Sequence, residues 1–358
     1  MLCCHCYFRL EEIAKQLQED IEREDNASDG EKEDNANGDD LPEEHRAFMK
    51  RFSVATYVIP DKHPGEDLFD LSAAGKIFTQ HNLDLRNFHF VPQNRIEYLL
   101  VNSSITQQLF LAVNGILSSA YHDTPCPIPI LKWLFQMMSI HPDHCVSTKI
   151  LDRLMELSLK NSSISDEQFK PWIPSIADIS TVFVNMGVGF RSLFPLQHLQ
   201  PPFNEHDIFQ QQPTGDEATA SPVFPNLLEN NLINVIKFLV FCTSVIHDGY
   251  TDQEIWLLLI LLFKISLEKQ LKPFLTDFQC LFFKLLMNMK DWDTKMPELC
   301  LSVSELSSNP HNLLWLVQLV PSCIQHLLKL CRALVKHVKG DIREDARMFY
   351  RSKVRCRT

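Results

Sequence analysis

The sequence "IWLLLILLFKISLEKQL", which runs from Ile255 to Leu271, begins with nine consecutive apolar residues. A helix of that length rises only about 14 Å at ~1.5 Å per residue, whereas a membrane-spanning helix needs roughly 20 apolar residues. The preceding "TDQE" (251–254) has the Thr-x-x-Glu pattern of a capping box, which begins a helix in water. A helix that is apolar on nearly every side is buried between neighbouring helices. The stretch therefore predicts the interior of a helical protein and no membrane span.

The composition of the whole chain also favours helices. Its 358 residues are 45% hydrophobic, which is enough for a sizeable core, and long runs of β-branched residues are rare. Ten glycines against twenty prolines disfavour a nucleotide-binding α/β enzyme, because such enzymes use glycine in phosphate loops. Eleven cysteines scattered through predicted helices indicate free thiols in a reducing compartment, and no secretory signal is visible.

The formal net charge of −11 is unevenly distributed along the chain. Residues 11–44 contain fifteen acidic and three basic residues, whereas residues 329–358 contain ten basic and three acidic residues. The acidic total argues against a protein that coats nucleic acid. Polarised ends of this kind contact partners in some proteins and are simply solvated in others.

Changes in composition divide the chain into five segments. Residues 1–40 are predicted to be acidic and largely disordered, because they cannot bury enough apolar surface to offset the entropy of ordering. Residues 41–194 form a first helical half, and residues 195–225, with six prolines and a Gln triplet, form a loop or linker. Residues 226–353 form a second helical half with a basic C-terminal helix, and residues 354–358 are a tail.

Hydrophobic periodicity predicts an all-α fold with a few short extended segments near its start, at 53–61 and 85–92. Gly187 is expected to stop a helix. Successive helices that are apolar on more than one face predict an irregular α-solenoid-like stack of antiparallel pairs, with a closed helical bundle as the alternative. The predicted helices cover residues 94–101, 105–121, 128–140, 144–160, 175–186, 226–247, 252–270, 274–290, 296–307, 310–319, 321–339 and 341–353.

The search for catalytic and metal-binding motifs returns no site. The sequence contains no G-x-S-x-G elbow, Walker loop or H-E-x-x-H motif, so we predict no catalytic residue and no cofactor. "HPDHC" (141–145) lacks the paired ligand spacing of a zinc site, and we interpret it as a helix junction capped by Asp143. "CCHC" (3–6) packs its ligand types too closely to surround a tetrahedral ion. We therefore predict no metal site.

The basic residues near the C-terminus recur every three or four positions. If the helix continues past Gly340, they share one face, which could contact phosphate or an acidic partner. The alternative is a solvated helix face. This basic stripe consists of Arg332, Lys336, Lys339, Arg343 and Arg347.

Several strings of the sequence are specific enough to indicate a family: "LPEEHRAFMKRFSV", "IPDKHPGEDLFD", "GKIFTQHNLDLRNFHF", "SSAYHDTPCPIPILKWLFQMMSIHPD" and "DIREDARMFYRSKV". They resemble the family with sequence similarity 178, whose members carry the CANIN domain. The resemblance covers roughly residues 41–353, and the greater likeness is to the B paralogue. "HPGEDLFD" and "CPIPILKWLF" are its most specific strings.

This resemblance implies a non-catalytic helical scaffold that binds another helical protein. The family includes a localisation factor of the Smc five–six genome-maintenance complex, so the resemblance implies a nuclear protein, with the cytoplasm as an alternative, and a partner from a chromosome-maintenance assembly. Relative to that factor, a long N-terminal region is expected to be missing and the helix ending in "KVRCRT" to stop early. The alternatives are a nucleic-acid-binding accessory protein, or a paralogue that keeps the fold without the recruiting role.

If the basic stripe contacts nucleic acid, the chain should retard a labelled nucleic acid in a native gel, and the retardation should weaken as salt rises. Reversing the charges of Arg343 and Arg347 to Glu should abolish the shift, because both residues lie on the stripe. The absence of any shift at low salt would remove this alternative.

Overall fold

A computed structural model describes residues 64–88, 90–164, 171–210 and 229–320. Within these ranges the chain forms thirteen α-helices and three short 3-10 helices, and no β-strand. Two isolated bridges, Glu66 with Glu268 and Phe69 with Val188, are the β-type pairings found in this part of the chain. The prediction of an all-α fold is confirmed. The predicted extended segment at 53–61 lies outside the described residues.

The described helices include two short ones that were not predicted, Phe190–Leu193 and Glu205–Gln210. The helices predicted at 321–339 and 341–353 lie outside the described residues. The 3-10 helices cover Leu71–Ala73, Leu85–Phe88 and Lys269–Phe274. The α-helices are α1 (Arg95–Asn102), α2 (Ile105–Val113), α3 (Ile116–Ala120), α4 (Ile128–Ile140), α5 (His144–Ile164), α6 (Ile176–Asn185), α7 (Phe190–Leu193), α8 (Glu205–Gln210), α9 (Glu229–Val245), α10 (Asp252–Ile265), α11 (Leu275–Asn288), α12 (Trp292–Glu305) and α13 (Pro310–Leu319).

The longer helices pack in two layers. One layer places α5, α9, α11 and α13 side by side, and the other contains α4, α6, α10 and α12. Asn234 Nδ2 donates to Ser147 Oγ, and Asn288 Nδ2 donates to the Thr243 carbonyl, each at 2.9 Å. Asn231 Nδ2 also donates to the His141 carbonyl at 2.8 Å, so α9 and α5 start side by side, and Lys290 pairs with Asp248 just beyond the C-terminal ends of α11 and α9. The three helices therefore run in the same direction, and the chain returns through the other layer between them. Such alternation is the arrangement of an α-solenoid, so the stacked-helix prediction is confirmed.

Helix α10 contains the apolar stretch and is enclosed by neighbouring helices. Every residue from Ile255 to Ile265 is buried, and α10 contacts α6, α7, α11 and α12. The predicted capping box is present, because Thr251 Oγ1 accepts from the Glu254 amide while the Glu254 carboxylate accepts from the Thr251 amide. Among the described residues, no helix is both long enough and apolar enough to span a membrane.

The prediction of an extended segment at 85–92 is wrong, because its first four residues form a 3-10 helix. The Asp84 carboxylate accepts from the Arg86 amide at 2.9 Å, and the Asp84 carbonyl accepts from the Asn87 amide at 3.0 Å. Such local side-chain bonds compete with strand formation. Leu85 is buried and Phe88 packs against the same core three residues later, which is the period of a 3-10 helix rather than of a strand.

The single helix predicted over 105–121 is divided at Gly115. This residue adopts a φ of +79° between α2 and α3, a conformation that glycine reaches without steric cost. The helix predicted over 252–270 also ends early, at Ile265, and is followed by the 3-10 helix that begins at Lys269. In both cases the apolar pattern of the sequence continues across the break in the helix. The pattern alone therefore does not show where the helix ends.

Gly187 ends α6 as predicted. Its φ is +102°, its amide donates to the Val184 carbonyl, and the Val188 amide donates to the Phe183 carbonyl. These two bonds form a Schellman motif, which satisfies carbonyl groups at the helix end. The Gly187 carbonyl then accepts from the Asp70 amide at 2.9 Å, so the helix stop also anchors an incoming segment.

One apolar core cluster includes residues from both predicted helical halves, for example Trp133 in α4 and Trp256 in α10. The structure describes residues 195–210 of the predicted linker and not its remainder. The division into two halves around that linker stays a prediction.

Replacing Gly187 with Ala should lower the free energy of unfolding by about 2–4 kcal/mol, because an L-residue is strained at positive φ. The new Cβ would also collide with the backbone carbonyl oxygen of Asp70. Urea denaturation followed by circular dichroism measures the change.

Gly189→Ala is the matched control. Gly189 has a φ of −63°, and its added Cβ would come no closer than 3.7 Å to Ser192 Oγ. This change should cost less than about 1 kcal/mol, and equal losses in the two variants would contradict the assignment of Gly187.

Candidate functional site

Residues 64–78, which include most of the string "HPGEDLFD", form an N-terminal strap that contacts three distant parts of the chain. The Glu268 carboxylate accepts from the amides of Leu68 at 2.7 Å and Phe69 at 3.3 Å. Glu268 follows α10 and is only 3% exposed. A buried carboxylate is tolerated where hydrogen-bond donors surround it. The strap amides supply these donors to Glu268, and Glu268 in turn supplies the acceptor that the amides need.

Glu66 continues this anchorage with both its backbone and its side chain. Its amide donates to the Leu267 carbonyl at 2.7 Å, and its carboxylate pairs with the ammonium group of Lys264, a buried residue of α10. The other carboxylate oxygen accepts from Asn312 Nδ2 at 3.0 Å. Asn312 in turn accepts from the Gly65 amide at 2.7 Å. The strap thereby joins α10 to α13.

The far end of the strap is held by Asn185, the last residue of α6. Its Oδ1 accepts from the amides of Ile77 and Phe78, each at 3.0 Å, and its Nδ2 donates to the Phe78 carbonyl at 2.9 Å. Asn185 is 1% exposed, so these bonds form away from water. One short segment therefore ties α6, α10 and α13 together.

An open groove lies on the surface of the layer that contains α5, α9 and α11. Its cavity volume is about 630 Å³. Since α9 packs between α5 and α11, α9 supplies the floor and the other two helices supply the walls. The lining, which defines this outer groove, includes Asp152 and Met155 of α5, Lys237 and Phe241 of α9, and Asp277 and Cys280 of α11.

The predicted helix junction at 141–145 is confirmed. The Asp143 carboxylate accepts from the amides of Cys145 at 2.8 Å and Val146 at 3.4 Å, so it caps α5. Burial lowers the pKa of His141, whose ring lies against the backbone of Asp143. In the part of the chain that the structure describes, no three or more His, Cys, Asp or Glu side chains are grouped to hold a metal ion.

The predicted basic stripe lies outside the described residues, and so does the "CCHC" string at 3–6. The outer groove was missed by sequence reasoning, because its lining comes from three helices that are distant in sequence. Asp152 and Lys237 are exposed charged residues on helices that also carry other polar side chains, so neither residue stands out in the sequence.

The buried ionisable groups have structural partners. Tyr121 donates to the Glu97 carboxylate at 2.8 Å, and burial raises the pKa of Tyr121 and of the neighbouring Cys126 thiol. Tyr250 donates to the Pro174 carbonyl at 2.7 Å, and burial raises its pKa as well. For all three groups burial favours the protonated form, and both tyrosine hydroxyls are held by hydrogen bonds inside the core.

The sequence is similar to one family of known proteins. The model of the Coiled-coil and Nse Interacting (CANIN) domain matches residues 4–338. SMC5-SMC6 complex localization factor protein 2 of Homo sapiens is 49% identical over 340 residues, which cover 91% of this chain and 29% of that protein. The Danio rerio protein of the same name is 35% identical over 325 residues, or 88% of this chain and 29% of that protein.

Protein FAM178B of Homo sapiens is 31% identical over 288 residues, which cover 78% of this chain and 40% of that protein. The chain therefore spans well under half the length of each of these relatives.

Replacing Glu268 with Ala should lower the free energy of unfolding by about 2–4 kcal/mol, because it leaves the partly buried amides of Leu68 and Phe69 without their acceptor. Glu268→Gln, which keeps one acceptor oxygen, should cost less. Urea denaturation measures both.

Glu298→Ala removes a carboxylate of the same size from an exposed pair with Lys295 and serves as the control. Its effect should stay within about 0.5 kcal/mol. A Glu268→Ala variant as stable as this control would show that the strap is not anchored there.

Proposed function

Because this chain belongs to the family that carries the CANIN domain, we propose that it is a non-catalytic helical adaptor that binds another helical protein. The partner is a component of the SMC5-SMC6 complex or an Nse protein, as the names of the domain and of the relatives indicate. The observation that carries this proposal is the domain match over residues 4–338, most of which form a single stacked-helix scaffold.

The two-layer architecture supports an adaptor role. Stacked helices present extended surfaces to which another polypeptide can bind, and the outer groove opens on one such surface. The buried tyrosines and cysteines are hydrogen-bonded or enclosed by the core. We place the adaptor in the nucleus, because a protein that localises the SMC5-SMC6 complex acts where that complex is found.

The identities bear on which relative this chain follows. They are 49% with human localization factor 2 and 31% with human FAM178B, which runs against the expectation of the B paralogue. A recruiting role like that in the localization factors' name therefore has more support than a paralogue that has lost it. The basic stripe stays a proposed contact for an acidic partner or phosphate.

The proposal is tested by mixing the purified full chain with purified SMC5-SMC6 complex, with Nse proteins alone, and with both together. We expect the chain to co-elute from a sizing column with at least one of these preparations at micromolar concentration. Its solubility should rise in the complex, because an apolar docking surface is then covered.

The control is a helical protein of similar size and net charge, which should not co-elute. If the full chain elutes alone from all three mixtures, the proposed adaptor role is wrong.

A further inference from the structure

The outer groove combines an apolar lining with charged side chains on both walls. We propose that it binds one amphipathic α-helix of the partner protein, with apolar side chains along its centre and basic side chains along both edges. This inference rests on the proposed adaptor function, and it specifies the surface and the chemistry of the ligand.

The shape of the groove suits a helix. The lining residues of α5 run from His144 to Met155, which corresponds to about 16 Å, or three helical turns, at ~1.5 Å per residue. The lining residues of α9 run over a similar length, from Asn234 to Ser244, so the channel follows both helices over about three turns. An amphipathic helix that lays its apolar face into such a groove is a recurring mode of recognition.

The apolar surface extends beyond one end of the groove. Leu159 lies one turn past Met155 on α5 and is 51% exposed, and Met287 lies two turns past Cys280 on α11 and is 64% exposed. Residues four or seven apart share a helix face, so both walls carry exposed apolar side chains in the direction of the groove. Exposed apolar surface next to a cleft is typical of a binding site.

The charged side chains on the groove walls determine which residue types are expected along the edges of the ligand helix. Asp152 lines one wall and Asp277 the other, and neither forms an ion pair within the described ranges. Basic side chains on both edges of a bound helix would meet these carboxylates. Lys237 on the floor would meet an acidic or amide side chain near the centre of the ligand.

Other ligand classes fit this surface less well. The walls and floor are helices whose backbone groups are already hydrogen-bonded, so an extended peptide finds no free sheet edge to join. A nucleic acid would place its phosphates against Asp152 and Asp277, which repel them. A helix with basic edges satisfies both the apolar lining and the wall charges.

The test uses two fluorescent 18-residue helical peptides with the same central Leu stripe, one with Lys and the other with Glu along both edges. Fluorescence anisotropy measures their affinity for the full chain. We expect the Lys peptide to bind at least fivefold more tightly than the Glu peptide, because only the former complements both wall carboxylates.

The double variant Asp152→Lys with Asp277→Lys should invert that preference. The double variant Asp123→Lys with Glu205→Lys changes the net charge equally at exposed positions outside the groove, and it should keep the original preference. Circular dichroism confirms that both variants are folded. The inference is overturned if neither peptide binds saturably, if both bind equally, or if the two double variants behave alike.

A second measurement separates this inference from the proposed function. The variant Leu159→Gln with Met287→Gln should bind the SMC5-SMC6 and Nse preparation about tenfold more weakly than the control Val91→Gln with Phe110→Gln, whose side chains are exposed outside the groove. If that variant binds as well as the control, the groove assignment is wrong while the adaptor function stands. If the full chain binds no preparation, the adaptor function is wrong, and the peptide preference alone decides the groove.

Discussion

The whole structure depends on covering α10, whose residues from Ile255 to Ile265 are all buried. An apolar helix of this kind cannot be shielded by one neighbour, because its side chains project in every direction. It therefore needs contacts from its own layer and from the opposite layer, which α6, α7, α11 and α12 provide. Burying a large aliphatic side chain contributes about 1.5–3 kcal/mol, so the enclosure of α10 is a major driving force for stacking.

Apolar burial brings helices together but does not fix how they are aligned. In this protein, buried polar groups supply the alignment, since each has partners in only one arrangement. Backbone amides of the N-terminal strap donate hydrogen bonds to three side chains that are each at most 3% exposed: Glu268, Asn185 and Asn312. A shift of the strap by one residue would leave several of these groups unsatisfied, at a cost of about 1–3 kcal/mol each. The strap thus selects one packing of α6, α10 and α13.

Local features of the sequence predicted local features of the fold. The capping box at Thr251 and the helix stop at Gly187 depend on neighbouring residues, and both are present. The strand prediction at 85–92 was wrong because apolar alternation ignores the bonds that Asp84 makes with the next turn. Contacts over long separations could not be predicted, since nothing in "HPGEDLFD" identifies Glu268, about 200 positions away, as its acceptor. The groove was missed for the same reason.

Polar groups have different surroundings on the two sides of the protein, and this difference locates the proposed binding surface. On the side of α10, Lys264 and Glu268 are already ion-paired or hydrogen-bonded to the strap, so they are unavailable to a ligand. On the side of α9, Asp152, Lys237 and Asp277 border an open apolar channel. Polar groups buried inside a fold specify its packing, whereas polar groups around an exposed apolar surface specify what can bind there. The same residue types therefore stabilise the scaffold in one layer and select a partner helix in the other.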